Sequence, residues 1–175
     1  MDQSRSCFWL EEALREIWDR HFNDVPVVNV VNIAYCQGSK SRLGWIALSE
    51  TGRYTHIGIN RLLRFPEVPE AICVVTIAHE LVHYAHGFGS PLPQRYGDPH
   101  AGGIVECELA QRGLNGALVT YQHWAQHSWN AHYSRFARVR SHQLDKQESV
   151  ALRSDQSSEF PTVAALDVTV LSASR

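Results

Sequence analysis

The chain has 175 residues and a mass of 19.8 kDa, which is enough for one hydrophobic core and gives no reason to expect two. Its 44% hydrophobic and 19% charged residues exclude a fibrous or disordered protein and favour a globular one. The formal net charge of −2 excludes a strong overall attraction to nucleic acid or anionic membranes. Because neither a signal peptide nor a long apolar run is visible, we expect a cytoplasmic protein with no membrane association.

The first half of the chain predicts one helix followed by three strands. Residues 8–21 carry apolar side chains at helical spacing and predict an amphipathic helix. Residues 27–35, 43–48 and 54–60 are rich in β-branched and aromatic side chains and predict short strands. Gly52 lies between the last two of these segments and indicates that they form a hairpin.

A central helix is predicted from Pro69 to His86, where Gly87 ends it. Apolar residues cover nearly all of its circumference, so we expect it to be buried. The next helix is predicted to start at Asp98, a typical N-cap, and to end at Gly113.

The last predicted helix covers residues 118–140. It carries an aromatic series that favours core packing: Tyr121, Trp124, Trp129, Tyr133 and Phe136. From Ser141 onward the chain is polar, with one candidate strand over residues 160–171. We therefore predict an α+β domain over residues 1–140 and a polar tail over residues 141–175.

The four cysteines are far apart and include no CxxC pair: Cys7, Cys36, Cys73 and Cys107. They predict neither a zinc ribbon nor a disulfide framework, and we interpret them as reduced, mostly buried thiols. The ten histidines are the more unusual feature, because most of them lie between His79 and His142. We expect the chemistry of the protein in that region.

Residues 79–83 read HELVH, which is the HExxH pattern inside a predicted helix. His79 and His83 are four residues apart and therefore lie on the same helix face, where two imidazoles can bind one metal ion. Zinc lowers the pKa of a bound water to about 7, and Glu80 is placed to act as the general base. Two buried histidines and a buried glutamate would otherwise need other polar partners.

A catalytic zinc usually has three protein ligands, and His100 is our preferred third ligand because it follows a loop that could return to the helix. Gly102 and Gly103 come directly after it, and we interpret them as allowing close packing of the next helix. His86 lies about 10 Å along the helix from His79, which favours an outer position over direct binding. Alternative third ligands are Glu106, Glu108, His123 and His127.

The order of motifs between about residues 27 and 114 resembles the SprT-like metallopeptidase domain. The matching pieces are RLG at 42–44, IGIN at 57–60, HELVH at 79–83, and a histidine that opens a helix ending in RGL at 112–114. The resemblance covers roughly half of the chain. The HExxH pattern is specific for zincins, whereas the other pieces are moderately specific for this family.

The resemblance implies a small zincin-like fold, in which a short mixed β-sheet packs on the HExxH helix and further helices surround it. It also implies one zinc ion bound by His79, His83 and His100, and Glu80 as the catalytic residue. Some relatives cleave proteins crosslinked to DNA, so nucleic acid is implied as a further partner. The sequence supports this only by a short basic segment over residues 135–146, for which a solvated helix end is the simpler interpretation.

The function predicted from these features is zinc-dependent hydrolysis of a protein or peptide substrate, with Glu80 as general base. His123, His127 and Tyr121 are candidate donors to the developing oxyanion, and an exposed strand edge near residues 56–58 is a candidate site for pairing with substrate. The alternative is a zinc-stabilised, non-catalytic binding domain that could associate with DNA and whose closed site would need a fourth protein ligand. The oligomeric state is not specified by the sequence.

Overall fold

The computed structural model describes residues 4–37 and 39–136. The predicted domain boundary at residue 140, the tail over residues 141–175 and the candidate strand over residues 160–171 lie outside the described residues. The described chain combines helices with one small mixed sheet, so the predicted α+β class is confirmed.

Five helices are described, and short 3₁₀ turns join some of them to neighbouring elements. Ser6 caps the first helix, because its hydroxyl oxygen accepts a hydrogen bond from the backbone N–H of Trp9. The helices are α1 (Cys7–His21), α2 (Glu70–Ala85), α3 (Ile104–Gln111), α4 (Asn115–His127) and α5 (residues 129–136). The 3₁₀ turns are Arg61–Arg64 and Ala101–Gly103. The first two predicted helices are therefore confirmed.

Three strands form the sheet, namely β1 (Val30–Cys36), β2 (Gly44–Leu48) and β3 (Tyr54–Asn60). Their order is β1-β3-β2, with β1 parallel and β2 antiparallel to β3, so the predicted hairpin is confirmed. β3 is the central strand and is paired on both sides. The prediction of an exposed edge near residues 56–58 is therefore wrong, because β1 was not expected to pair with β3.

α2 lies at the centre of the fold and contacts β2, β3 and the helices α1, α3 and α4. Most of its side chains are buried, as its nearly uniform apolar character predicts. Tyr84 is fully buried, and its hydroxyl donates a hydrogen bond to the Oδ1 of Asn29, just before β1. The helix is thus held on several sides at once, which gives the residues it carries a rigid support.

The predicted helix over residues 118–140 is interrupted at Ser128, between α4 and α5. The chain turns there and Trp129 becomes almost completely buried, with its indole N–H donating to the carbonyl of Lys40 at 2.7 Å. Trp124 is also buried beside it, so core packing is confirmed for the aromatic series. One continuous helix was predicted because the bond to Lys40 has no local sequence signal.

All four cysteines are free thiols, but the prediction that most are buried is wrong. Cys73 is buried and donates to the carbonyl of Leu63, whereas Cys7 and Cys107 are exposed and Cys36 is half-buried. Cys7 lies in α1 and Cys107 in α3. Neighbouring residues of these helices contact the core, whereas the two cysteines do not.

Candidate metal centre

His79 and His83 lie one turn apart on α2, and their ring centroids are 4.7 Å apart. This proximity follows directly from the helix, since residues four apart lie one above the other. The imidazole of His83 is almost fully buried, and that of His79 is half-buried. The pair therefore places two imidazoles side by side in the C-terminal half of α2.

His100 completes the group from the loop that precedes α3. Its ring centroid is 5.5 Å from that of His79 and 4.7 Å from that of His83. One possible ligand atom from each histidine lies within 4.8 Å of the others. Within the described part of the chain, these three histidines are a group that could hold a metal ion. They are also the three ligands that the sequence predicts.

The loop before α3 positions His100 differently from the sequence prediction. A carboxylate oxygen of Asp98 accepts a hydrogen bond from the backbone N–H of His100, but the α-helix begins only at Ile104. Gly102 and Gly103 have φ values of 65° and 70° and form the turn between His100 and Ile104. Their predicted role in close packing is wrong, because an added Cβ would meet no atom within 4 Å at Gly102 and only one, at 3.8 Å, at Gly103. They provide the left-handed conformation that other residues rarely adopt.

The protonation state of His79 and His83 suits the binding of a cation. Burial lowers the pKa of His79 to about 3 and that of His83 to about 2, so both imidazoles are neutral at pH 7. The buried Nε2 of His79 and Nδ1 of His83 have no hydrogen-bond partner in the described part of the chain. A buried nitrogen without a partner is costly, and a metal ion would supply one. The donors therefore fit a metal that prefers imidazole ligands.

Glu80 follows His79 on α2, and the residue is only 2% exposed. Burial raises the pKa of Glu80 to about 8, while the positive charge of Arg42 opposes this shift. Gly44 makes room for the carboxyl, since a Cβ at that position would lie 2.6 Å from Oε1 of Glu80 and 2.8 Å from Cγ2 of Thr76. The sequence analysis missed this contact, although a glycine at the start of a strand is itself a sign of close approach.

The structure does not bring the alternative ligands into the histidine group. Glu108 accepts a hydrogen bond from Arg112 and pairs with Nε2 of the fully buried His86 at 2.5 Å, so both of its oxygens are occupied. The predicted outer position of His86 agrees with this contact. Glu106 is half-buried and is not part of the group.

His123 and His127 lie on an exposed face of α4 and stack on each other with centroids 4.5 Å apart. Neither belongs to the histidine group. Tyr121 lies on the same helix but is packed against the core. Burial and then the charges of Glu80 and Glu106 raise the pKa of its hydroxyl to about 12, so the hydroxyl is protonated at neutral pH.

The basic segment at the end of the helical region is only partly described. Arg135 forms an exposed ion pair with Glu67 at 3.2 Å, and residues 137–146 lie outside the described residues. In the part of the chain that the structure covers, no helix combines the length and apolar composition needed to cross a bilayer.

Comparison with known proteins gave no relatives: no family model matches the chain, and no curated protein or solved structure is significantly similar to it.

Proposed function

We propose that this chain is a zinc metallopeptidase of the SprT-like type, a small zincin-like domain that cleaves peptide bonds in a protein or peptide substrate. The observation that carries the proposal is the convergence of three histidines, two of them on α2, with the buried Glu80 beside them on that helix. The order of His79, Glu80 and His83 is the pattern in which two histidines bind zinc and the glutamate serves as general base. Imidazole ligands without thiolate or carboxylate suit zinc among the common metals.

The number of ligands supports a catalytic rather than a structural site. Structural zinc sites have four protein ligands, whereas catalytic ones have three and an open position. The described residues supply His79, His83 and His100 and no fourth member of the group. The alternative of a zinc-stabilised binding domain would require a fourth protein ligand, so the three-histidine set favours the peptidase.

Glu80 would carry the proton transfer. When bound, zinc would polarise the carbonyl and the attacking water. Glu80 would accept the proton of that water and later pass it to the leaving amine. The raised pKa of Glu80 belongs to the chain without a cation, and nearby positive charge lowers the pKa of a carboxyl toward the range a base needs at neutral pH.

Tyr121 and β2 supply two further parts of the proposed site. The Tyr121 hydroxyl stays protonated at neutral pH and is our choice of hydrogen-bond donor to the developing oxyanion, ahead of the exposed His123 and His127. Among the described residues β2 is an edge strand, and it begins at Gly44, next to the Glu80 carboxyl. An extended substrate pairing with this edge would be held mainly by its backbone, which predicts weak sequence selectivity.

The proposal is tested by elemental analysis of the purified protein and by casein cleavage measured on the same samples. We expect one zinc per chain and cleavage by the parent. Glu80→Gln should keep zinc and lose roughly 10²- to 10⁴-fold in cleavage rate, since it removes only the base. His100→Ala should lose both zinc and cleavage. His123→Ala is the matched control, because this histidine is exposed and outside the group, and it should keep both.

Three outcomes would contradict the proposal in different ways. A parent that binds no zinc would reject the metal site itself. Tight zinc binding with no cleavage of casein or of unfolded proteins would instead favour the non-catalytic binding domain. Loss of zinc in His123→Ala but not in His100→Ala would show that the wrong third ligand had been assigned.

A further inference from the structure

A second pair of histidines, His123 and His127, lies on the exposed face of α4. Their spacing is the same as that of His79 and His83 on α2, and it produces nearly the same separation of the rings. The ring centroids are 4.5 Å apart on α4 and 4.7 Å apart on α2. The two α4 rings are also almost parallel, with 24° between their planes. The pair therefore presents two imidazoles side by side to solvent.

One hydrogen bond determines which ring nitrogen of His127 is available to an ion. Its Nδ1–H donates to the carbonyl oxygen of His123 at 2.8 Å, which leaves the lone pair of a neutral imidazole on Nε2. Histidines that bind metals commonly donate their other N–H in this way, because the bond fixes the orientation of the ring. The ring nitrogens of His123 have no hydrogen-bond partner among residues 4–37 and 39–136. Each residue of the pair therefore keeps a nitrogen that can bind a metal.

The electrostatic surroundings of the pair favour a cation. Residues 115–134 contain no lysine, arginine, aspartate or glutamate, so no charged side chain of this stretch repels an ion or pairs with the histidines. His127 is the last residue of α4, where the aligned backbone carbonyls give the helix end a partial negative charge. A positive ion is stabilised at this end of the helix.

We propose that His123 and His127 form a second metal site, which binds one divalent transition-metal ion such as zinc through the two imidazoles. Nitrogen ligands favour Zn²⁺, Cu²⁺ and Ni²⁺ over Mg²⁺ and Ca²⁺, which prefer oxygen. In the described part of the chain no third histidine, cysteine or carboxylate joins the pair, so water would complete the coordination. The site is therefore weaker than one with three protein ligands and exchanges its ion readily.

The second site differs from the metal centre in the residue that follows its first ligand. Glu80 follows His79 on α2, whereas Trp124 follows His123 on α4 and is buried. No carboxylate of α4 is thus placed to take a proton from a water on the second ion, so the site binds metal without supporting hydrolysis. Purification without added metal would empty this site. The zinc that stays with the purified chain therefore belongs to the metal centre.

The test is equilibrium dialysis of the purified chain against increasing free zinc, with bound zinc measured by elemental analysis. We expect the parent to bind one further zinc per chain, reversibly, beyond the zinc that it retains in metal-free buffer. His123→Ala and His127→Ala should each weaken this further binding at least about tenfold, since loss of an outer partner of a ligand already costs about 10- to 100-fold in affinity. Both residues are exposed, so the variants should fold like the parent.

A swap of two residues provides the matched control for the spacing. Gln122→His combined with His127→Gln keeps two histidines at exposed positions of α4 but makes them adjacent, and adjacent residues do not face each other on a helix. This double variant should bind the further zinc as weakly as His127→Ala does. His56→Ala removes an exposed histidine of β3 and should bind the further zinc like the parent.

The proposal is overturned if the parent binds no further zinc, or if the double variant binds it as tightly as the parent. An equal loss in His56→Ala would indicate adventitious binding by surface histidines and would also overturn it. His79, His83 and His100 are intact in every variant. Differences between the variants therefore report on the second site alone, whether or not the metal centre retains zinc.

Discussion

The environment of Glu80 determines how this residue can act. Its carboxyl is almost completely buried beside Gly44, and a charged carboxylate there is disfavoured unless a cation is near. Arg42 supplies some positive charge but does not cancel the effect of burial on the pKa. Burial would adjust Glu80 for its role as a base. It therefore also makes the stability of the metal-free chain depend on pH.

We expect the stability difference between parent and Glu80→Gln to depend on pH when metal is removed by a chelator. The pKa of Glu80 rises from 4.5 to about 8 on folding, so the folded state keeps a proton that the unfolded state releases in between. The resulting stability is complete below 4.5 and is lost as pH rises through 8. The parent should therefore lose free energy of unfolding relative to Glu80→Gln from about pH 5 to about pH 8, measured by denaturant titration.

The control for this experiment is Glu50→Gln, because Glu50 is exposed. Its stability should follow that of the parent at every pH. Parallel curves for the parent and Glu80→Gln would show that the buried carboxyl does not titrate as described.

Tyr121→Phe tests the proposed oxyanion donor. Removing the hydroxyl should lower kcat by roughly 10²-fold, with KM and zinc content nearly unchanged, because the lost hydrogen bond forms mainly in the transition state. Steady-state kinetics on a peptide substrate would measure this. Tyr133→Phe is the matched control, since Tyr133 packs against Trp129 on α5 and should keep full activity. An equal effect of both substitutions would argue for a packing role of Tyr121.

At the scale of elements, the contact between β2 and α2 connects the sheet to the metal centre. Gly44 begins β2 and lies directly against Glu80 and Thr76 of α2. The strand that approaches the helix so closely is also the edge that we propose for substrate pairing. The absence of a side chain at Gly44 therefore allows both the close packing of β2 on α2 and the position of the Glu80 carboxyl.

Gly44→Ala should lower both stability and activity. The new Cβ would lie 2.6 Å from the Glu80 oxygen and 2.8 Å from a Thr76 methyl carbon, so these side chains or the strand must move. We expect a loss of about 1 to 3 kcal/mol in the free energy of unfolding and a larger fall in cleavage than in zinc content. Gly116→Ala is the control, because it lies in α4 with no atom within 4 Å of the added Cβ. Unchanged activity in Gly44→Ala would show that the carboxyl position tolerates a shift.

At the scale of the whole molecule, one polar network connects three distant parts of the chain. His86 at the end of α2 pairs with Glu108 on α3, and Glu108 accepts from Arg112 at 2.8 Å. Arg112 also donates to Asp24 and to the carbonyl of His21, near the end of α1. The network holds α3, which follows the His100 loop, against α2.

Glu108→Ala should destabilise the protein strongly. It would leave buried His86 and mostly buried Arg112 without their shared partner, which typically costs about 3 kcal/mol. The midpoint of denaturant unfolding would measure the change. Glu12→Ala breaks an exposed pair with Arg15 and should cost no more than about 0.5 kcal/mol. Similar effects of the two substitutions would mean that the network contributes little to stability.

The sequence by itself determined the features that depend on near neighbours. Helical spacing placed His79 and His83 on one face, because residues four apart must lie together on any α-helix. The bounds of β3 and the burial of α2 followed from composition and periodicity. For His100, spacing and the resemblance gave the preference but left several other residues open.

Only the tertiary structure decided the features that depend on partners far along the chain. The sequence left Glu108 open as an alternative to His100 as the third metal ligand. Its pairing with His86 and Arg112, which only the structure shows, decides against it. The central position of β3 and the break at Ser128 likewise follow from pairing with β1 and from burial of the next residue's indole. Local sequence patterns do not predict such contacts, because the partners are brought together only when the chain packs around α2.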